Sequence, residues 1–321
     1  SIEDESIREQ SLLIGGKLLS ALADTASEAI RDCGEPESYD ISLSLYTRSN
    51  PTHPIKLKLD NVSVVDLRRK TIVLTHGYTS SSSTYLGPNM KDAYLERYDC
   101  NLITLDWQLI AFNTYPTAVC LLTKIARIVA GFLCDISNQL KTSLKTVHLG
   151  GISLGGQLMG LIGQETKRIC KKSIGRITAL DPAGPLFQGL PESQRIDRSD
   201  ADFVQVIHTN KGVLGYFGNC GDADFYPNCG TIQNGCPQIN IIEVVQFPGV
   251  AATCDHVRSL AYMHESITSD DFKAKSCKSC PEICTPDTVN VTKAIMGEGC
   301  STNTSGAYVL YTNSKAPFAM G

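Results

Sequence analysis

Val147-His148-Leu149-Gly150-Gly151-Ile152-Ser153-Leu154-Gly155-Gly156 is the stretch that decides the fold of this chain. An apolar, strand-like run ends in glycines and a serine, and a helix-forming segment follows from Leu154. A serine on such a strand-to-helix turn is held in a strained backbone conformation, its hydroxyl pushed out over the end of a sheet. Gly151 and Gly155 leave room for the turn, where side chains would clash. A five-residue pattern is short, so its chemistry depends on its neighbours in the fold.

Further strands surround it. Residues 41–46 alternate like a half-exposed strand, and apolar runs follow at 71–74, 101–105, 146–149, 176–180 and 203–207. Helical patterns near 115–140 and 154–171 lie between some of them. Strands alternating with helices predict an α/β fold, with a mainly parallel central sheet and helices on both faces. Ahead of this body, residues 4–31 carry Ile7, Leu12, Leu18, Leu19, Leu22, Ala26, Ala29 and Ile30 on roughly one helical face, ending before Cys33-Gly34. The expected organisation is a helical extension over 1–34, packed on a single domain over 35–321.

Length and composition narrow the class. A chain of 321 residues with a net charge of -4 can bury a large core and lacks the basic balance of a nucleic-acid binder. The most apolar long stretch, 116–134, carries Lys124 and Arg127 at helical spacing. It predicts a surface helix of a soluble domain, and no membrane-spanning segment is expected. The first residue is Ser1, so an initiator methionine and any signal peptide are taken to be missing. Thirteen cysteines, with sequons at Asn61, Asn290 and Asn303, predict a secreted, disulfide-bonded glycoprotein with one thiol left over. Cys277, Cys280 and Cys284 have metal-ligand spacing, but no histidine lies near them in sequence and disulfides suit them better. The sequence leaves homo-oligomerisation open.

In parallel α/β sheets the chemistry sits beyond the carboxyl ends of the strands. There the chain offers Thr75-His76-Gly77-Tyr78, then Ser153, then Asp181-Pro182-Ala183-Gly184-Pro185, then His208-Thr209-Asn210. A serine nucleophile needs a base to take its proton and an acid to orient that base. Asp181, at a strand end and followed by proline, is the candidate acid. The α/β-hydrolase chain order of serine, acid, histidine leaves His208, His256 and His264 as bases. His208 continues an apolar strand and suits the core. His256, beside Cys254-Asp255 at an expected loop-to-helix junction, is the candidate base. The Leu154 and Tyr78 N–H groups are the candidate oxyanion donors.

Six motifs in order resemble the animal neutral lipase family, comprising pancreatic-type lipases, secreted phospholipases A1 and insect relatives. They are Leu74-Thr75-His76-Gly77-Tyr78-Thr79-Ser80-Ser81, Leu105-Asp106-Trp107, Gly151-Ile152-Ser153-Leu154-Gly155, Leu180-Asp181-Pro182-Ala183-Gly184-Pro185, Asp224-Phe225-Tyr226-Pro227-Asn228 and Cys254-Asp255-His256-Val257-Arg258-Ser259. The resemblance implies an α/β-hydrolase fold and a lipid carboxyl-ester hydrolase, an acylglycerol lipase or phospholipase A1. Ser153 is then the nucleophile, Asp181 the acid and His256 the base, with no cofactor needed for the chemistry.

The resemblance also implies a structural calcium at Glu192, Arg195, Asp197 and Asp200, where oxygen donors suit a hard cation. It further implies a Cys236–Cys254 bracket around a lid at 237–253 that meets lipid through Ile239, Ile241, Ile242, Val244, Val245 and Phe247. Cys220 and Cys229 flank 224–228 and are placed to close a local disulfide. Ile152 departs from the family's usual histidine, and with the chain ending near Ala316-Pro317-Phe318 no C-terminal β-sandwich of the vertebrate-lipase kind is expected. Insect egg-yolk proteins resemble the same family, so a storage protein kept in yolk is the alternative reading.

Overall fold

The computed structural model describes residues 13, 16–24, 32–37, 40–59, 65–84, 89–237, 248–277, 280 and 292–321. The chain divides into two compact units. One is formed by Ser27–Ala179 and Leu190–Val204, the other by Ser1–Ala26, Leu180–Gly189 and Gln205–Gly321.

The first unit holds β1 (Ser42–Tyr46), β2 (Ile55–Leu57), β3 (Thr71–Thr75), β4 (Asn101–Asp106), β5 (Val147–Ile152) and β6 (Arg176–Leu180, but for its last residue), in the order β6-β5-β3-β4-β1-β2. β3 runs parallel to β4 and β5, with Thr71 opposite Asn101 on one side and Val147 on the other. Every residue of β3 and β5 is buried, which is why both are near-continuous apolar runs. β1 runs antiparallel between β4 and β2.

The helices of this unit are α1 (Lys91–Arg97), the single turn α2 (Gln108–Ala111), α3 (Tyr115–Gln139) and α4 (Leu154–Cys170). α3 starts with Pro116 in its first turn, where proline has no hydrogen bond to lose. It is long and apolar enough to cross a membrane, but its face of Leu122, Ile125, Ala126, Val129 and Leu133 is buried, as a helix covering a sheet requires. Cys134–Cys170 joins α3 to the end of α4, and Cys33–Cys120 anchors the segment before β1.

The second unit holds β7 (Val204–Ile207, but for its first residue), β8 (Ala223–Pro227), β9 (Lys273–Ser276), β10 (Lys293–Ile295) and β11 (Gly306–Leu310), in the order β10-β9-β11-β8-β7. β8 is parallel to β7 and β11, while β9 is antiparallel to β11 and β10. Its long helix is α5 (Pro248–Ser266). Residues 16–24 are helical and press on the loop after β7, so closely that a Cβ on Gly16 would lie 2.3 Å from the Gly212 carbonyl oxygen.

Cys229–Cys280 and Cys236–Cys254 staple this unit, and Cys277 is also in a disulfide. Two sequence expectations are corrected here. Cys229 pairs with Cys280 instead of Cys220. In place of one leftover thiol, Cys100, Cys220 and Cys300 are all buried thiols. Sequence proximity drew Cys220 and Cys229 together, but a disulfide follows Cα geometry, and Cys280 stands 5.4 Å from Cys229. Burial pushes the Cys100 thiol up to about 11, so it stays protonated and inert.

Candidate active site

Ser153 sits between β5 and α4 with φ 58° and ψ -124°, a conformation most side chains avoid. The flanking glycines make the turn sterically feasible. A Cβ on Gly151 would fall 2.4 Å from the Gly155 carbonyl oxygen, and one on Gly155 would fall 2.3 Å from that of His76. The Ser153 side chain is half-buried, and the next residue, Leu154, opens α4. Helix N-termini carry unpaired N–H donors, so the Leu154 amide belongs to an anion-favouring end. Ile152, where the family usually has histidine, is buried at the end of β5.

The turn after β3 approaches the same serine. A Cβ on Gly77 would lie 3.0 Å from the Ser153 Cβ, so a side chain at residue 77 would crowd the serine and glycine eases the approach of the chain carrying Tyr78. Asp106, at the end of β4, holds this turn. Its Oδ2 accepts from the Ser82 N–H at 3.1 Å and from the Ser82 hydroxyl at 2.5 Å, and its Oδ1 lies 3.1 Å from His76 Nε2. Burial pushes the Asp106 carboxyl up, but hydrogen bonds from His76, Ser82 and the Gln108 N–H outweigh it and hold the group well below the usual carboxylate range. The His76 ring stacks on Trp107 at 5.1 Å, the Thr79 N–H donates to the Ala111 carbonyl, and the Tyr78 hydroxyl donates to that of Asn113. The Leu105-Asp106-Trp107 motif was visible in the sequence, but its work in bracing the turn was not.

In the second unit Asp181 and His256 come together. Asp181 is fully buried; its Oδ2 lies 2.6 Å from His256 Nδ1, and its Oδ1 accepts from the N–H groups of Thr209 and Asn210. A Cβ on Gly215 would fall 2.3 Å from that Oδ1, so glycine lets the loop close over the carboxylate. The His256 carbonyl accepts from the Thr209 and Ser259 hydroxyls. His256 lies within α5, not at its start, because the helix already begins at Pro248. Beside it, Asp255 accepts from the Gln233 N–H at 2.7 Å, and Cys254 is bonded to Cys236.

A carboxylate taking two backbone N–H bonds through one oxygen and an imidazole through the other keeps that imidazole in one tautomer. His208 is a core residue, 2.8 Å from Asp224 and stacked on Tyr226. His208, Cys220 and Asp224 have donor atoms within 4.8 Å of one another, yet Asp224 already accepts from His208 and the N–H groups of Cys220 and Gly221.

A cavity of 680 Å³ opens in the same unit. Its walls include Gly215, which touches Asp181, together with Leu186, Val213 and Phe217, and residues 16–24 supply Ser20 and Ala21.

The residues expected to hold calcium make hydrogen bonds within the protein. The Glu192 and Arg195 carbonyls accept from Gln164 Nε2, Asp197 caps the Ser199 N–H, and Asp200 accepts from the Asp197 N–H. Of the three sequons, Asn303 is exposed. Asn61 and Asn290 lie outside the described residues, as do lid residues Ile239, Ile241, Ile242, Val244, Val245 and Phe247.

The family model described as Lipase matches residues 16–318. "Lipase member H" of Xenopus tropicalis is 38% identical over 246 residues, covering 74% of this chain and 51% of the relative. "Pancreatic lipase-related protein 2" of Bos taurus is 32% identical over 265 residues, 77% of this chain and 56% of the relative. "Inactive pancreatic lipase-related protein 1" of Mus musculus is 31% identical over 276 residues, 77% and 57%. The chain spans about half the length of the curated relatives it matches. With a glycine-flanked serine on a strand-to-helix turn, a buried acid–histidine pair after it in sequence, and a match over nearly the whole chain, this protein has the α/β-hydrolase fold and belongs to the lipase family.

Proposed function

We propose that the chain is a secreted lipid carboxyl-ester hydrolase, cleaving acylglycerols or the sn-1 ester of phospholipids. Ser153 Oγ attacks the ester carbonyl as His256 Nε2 takes its proton, with Asp181 holding Nδ1–H. The Leu154 and Tyr78 N–H groups receive the developing oxyanion. The alcohol leaves with the proton from His256. Water, deprotonated by the same histidine, then releases the fatty acid and restores Ser153. The 2.6 Å Asp181–His256 contact carries this reading, because a buried carboxylate aimed at one imidazole nitrogen is the costly part of such a site. The cavity walled by Gly215 has the volume range of small-molecule sites, and its Leu186, Val213 and Phe217 side chains suit an acyl chain. The disulfides support an extracellular location.

One relative is named inactive, so kinship alone does not carry activity. The test is hydrolysis of a short-chain nitrophenyl ester by the wild type and Ser153→Ala. The expected loss in the variant is about 10⁴-fold or more. Equal, near-background rates in both would overturn the enzyme and favour storage. Phospholipid and triacylglycerol substrates then separate the two ester classes.

A further inference from the structure

We propose that the 190–201 loop is held by two side chains of α4, Gln164 and Lys167, in place of a divalent cation. The loop lies directly on α4. A Cβ on Gly160 would meet Ile196 Cα at 2.7 Å, and one on Gly163 would meet the Asp200 carbonyl oxygen at 2.2 Å. That approach brings the next turn of α4 over the loop's own oxygens. Gln164 Nε2 donates to the Glu192 carbonyl at 3.1 Å and the Arg195 carbonyl at 2.9 Å. Both partners are carbonyls that only accept, so the amide must face them with its NH₂. Three residues on, at the spacing that shares a helix face, the Lys167 ammonium donates to the Ser199 carbonyl. Earlier on α4, Gln157 Oε1 accepts from the Ile196 N–H at 2.8 Å.

The two carboxylates face inward. Asp197 Oδ1 accepts from the Ser199 N–H at 2.9 Å, and Asp200 Oδ2 from the Asp197 N–H at 2.7 Å, a reciprocal capping box around the turn at Arg198–Asp200. The Glu192 side chain is exposed.

A calcium ion takes six to eight oxygens at about 2.3–2.6 Å. Here the Gln164 amide reaches the two carbonyls and Asp200, and Asp197 Oδ1 and Asp200 Oδ2 accept from the loop's own N–H groups. The Lys167 ammonium supplies positive charge beside Asp200. Donor N–H groups from α4 therefore do the cation's work of tying the loop's carbonyls together.

The test is thermal unfolding of the wild type in EDTA and in millimolar CaCl₂, with calcium titration calorimetry alongside. The expected result is one unfolding midpoint in both buffers and no binding heat. Gln164→Glu replaces the donor with a carboxylate facing two carbonyls, and its midpoint should rise with CaCl₂ over EDTA. Gln164→Ala should unfold a few degrees lower than wild type in EDTA. A wild-type midpoint raised by CaCl₂, stoichiometric calcium binding to wild type, or an unchanged Gln164→Ala midpoint would each overturn the proposal. If Gln164→Glu does not fold, the wild-type measurements still decide.

Discussion

Asp200 shows how one buried carboxyl couples this structure to pH. Burial pushes its pKa to about 7, against hydrogen bonds from the Asp197 N–H and Gln164 that favour the charge. The unfolded chain releases the proton near the ordinary value of 3.8. Between those values the folded state binds more protons than the unfolded one, so stability falls as pH rises through the window. Urea midpoints taken at the acid and neutral ends of the window should therefore drop for the wild type, and drop less for Asp200→Asn. Parallel changes in the two proteins would dismiss Asp200 as the cause. At the same scale, Ser153, Asp181 and His256 can be proposed from sequence because the proposed ester chemistry asks for those residue types in a fixed chain order. Asp106, Gln164 and Lys167 cannot. Their importance comes from which backbone groups they meet, and nothing in their own sequence surroundings announces that.

Elements turn these contacts into durable geometry. The Cys236–Cys254 bond closes a loop over 18 positions and ends next to Asp255 and His256. Removing it with Cys236→Ala and Cys254→Ala together should cost about 3 kcal/mol, read from the guanidinium midpoint. A change below ~0.5 kcal/mol would show that the folded chain does not need this staple. The helical residues 16–24 supply Ser20 and Ala21 to the cavity beside Asp181. If that cavity takes the acyl chain, Ser20→Trp should slow long-chain nitrophenyl esters several-fold and leave short-chain esters near wild type. Equal slowing at every chain length would separate the cavity from acyl binding. Apolar periodicity exposed the strands and α3 well, because burial imposes it. The loop-to-helix junction expected at His256 falls inside α5, because the sequence does not show how far a helix extends ahead of its most informative residue.

At the scale of the molecule, the sequence determined the alternation of strands and helices, the serine turn, the order of serine, acid and histidine, and the lipase kinship. Each is a local pattern that burial or chemistry writes into consecutive residues. Tertiary structure alone decided that Cys229 bonds to Cys280, that Cys100, Cys220 and Cys300 are buried thiols, and that Asp106 braces the turn after β3. It alone decided that Gln164 faces the carbonyls of the 190–201 loop. These are contacts between residues far apart in the chain. Their energy depends on distances of a few ångströms that the fold sets and the order of residues does not state.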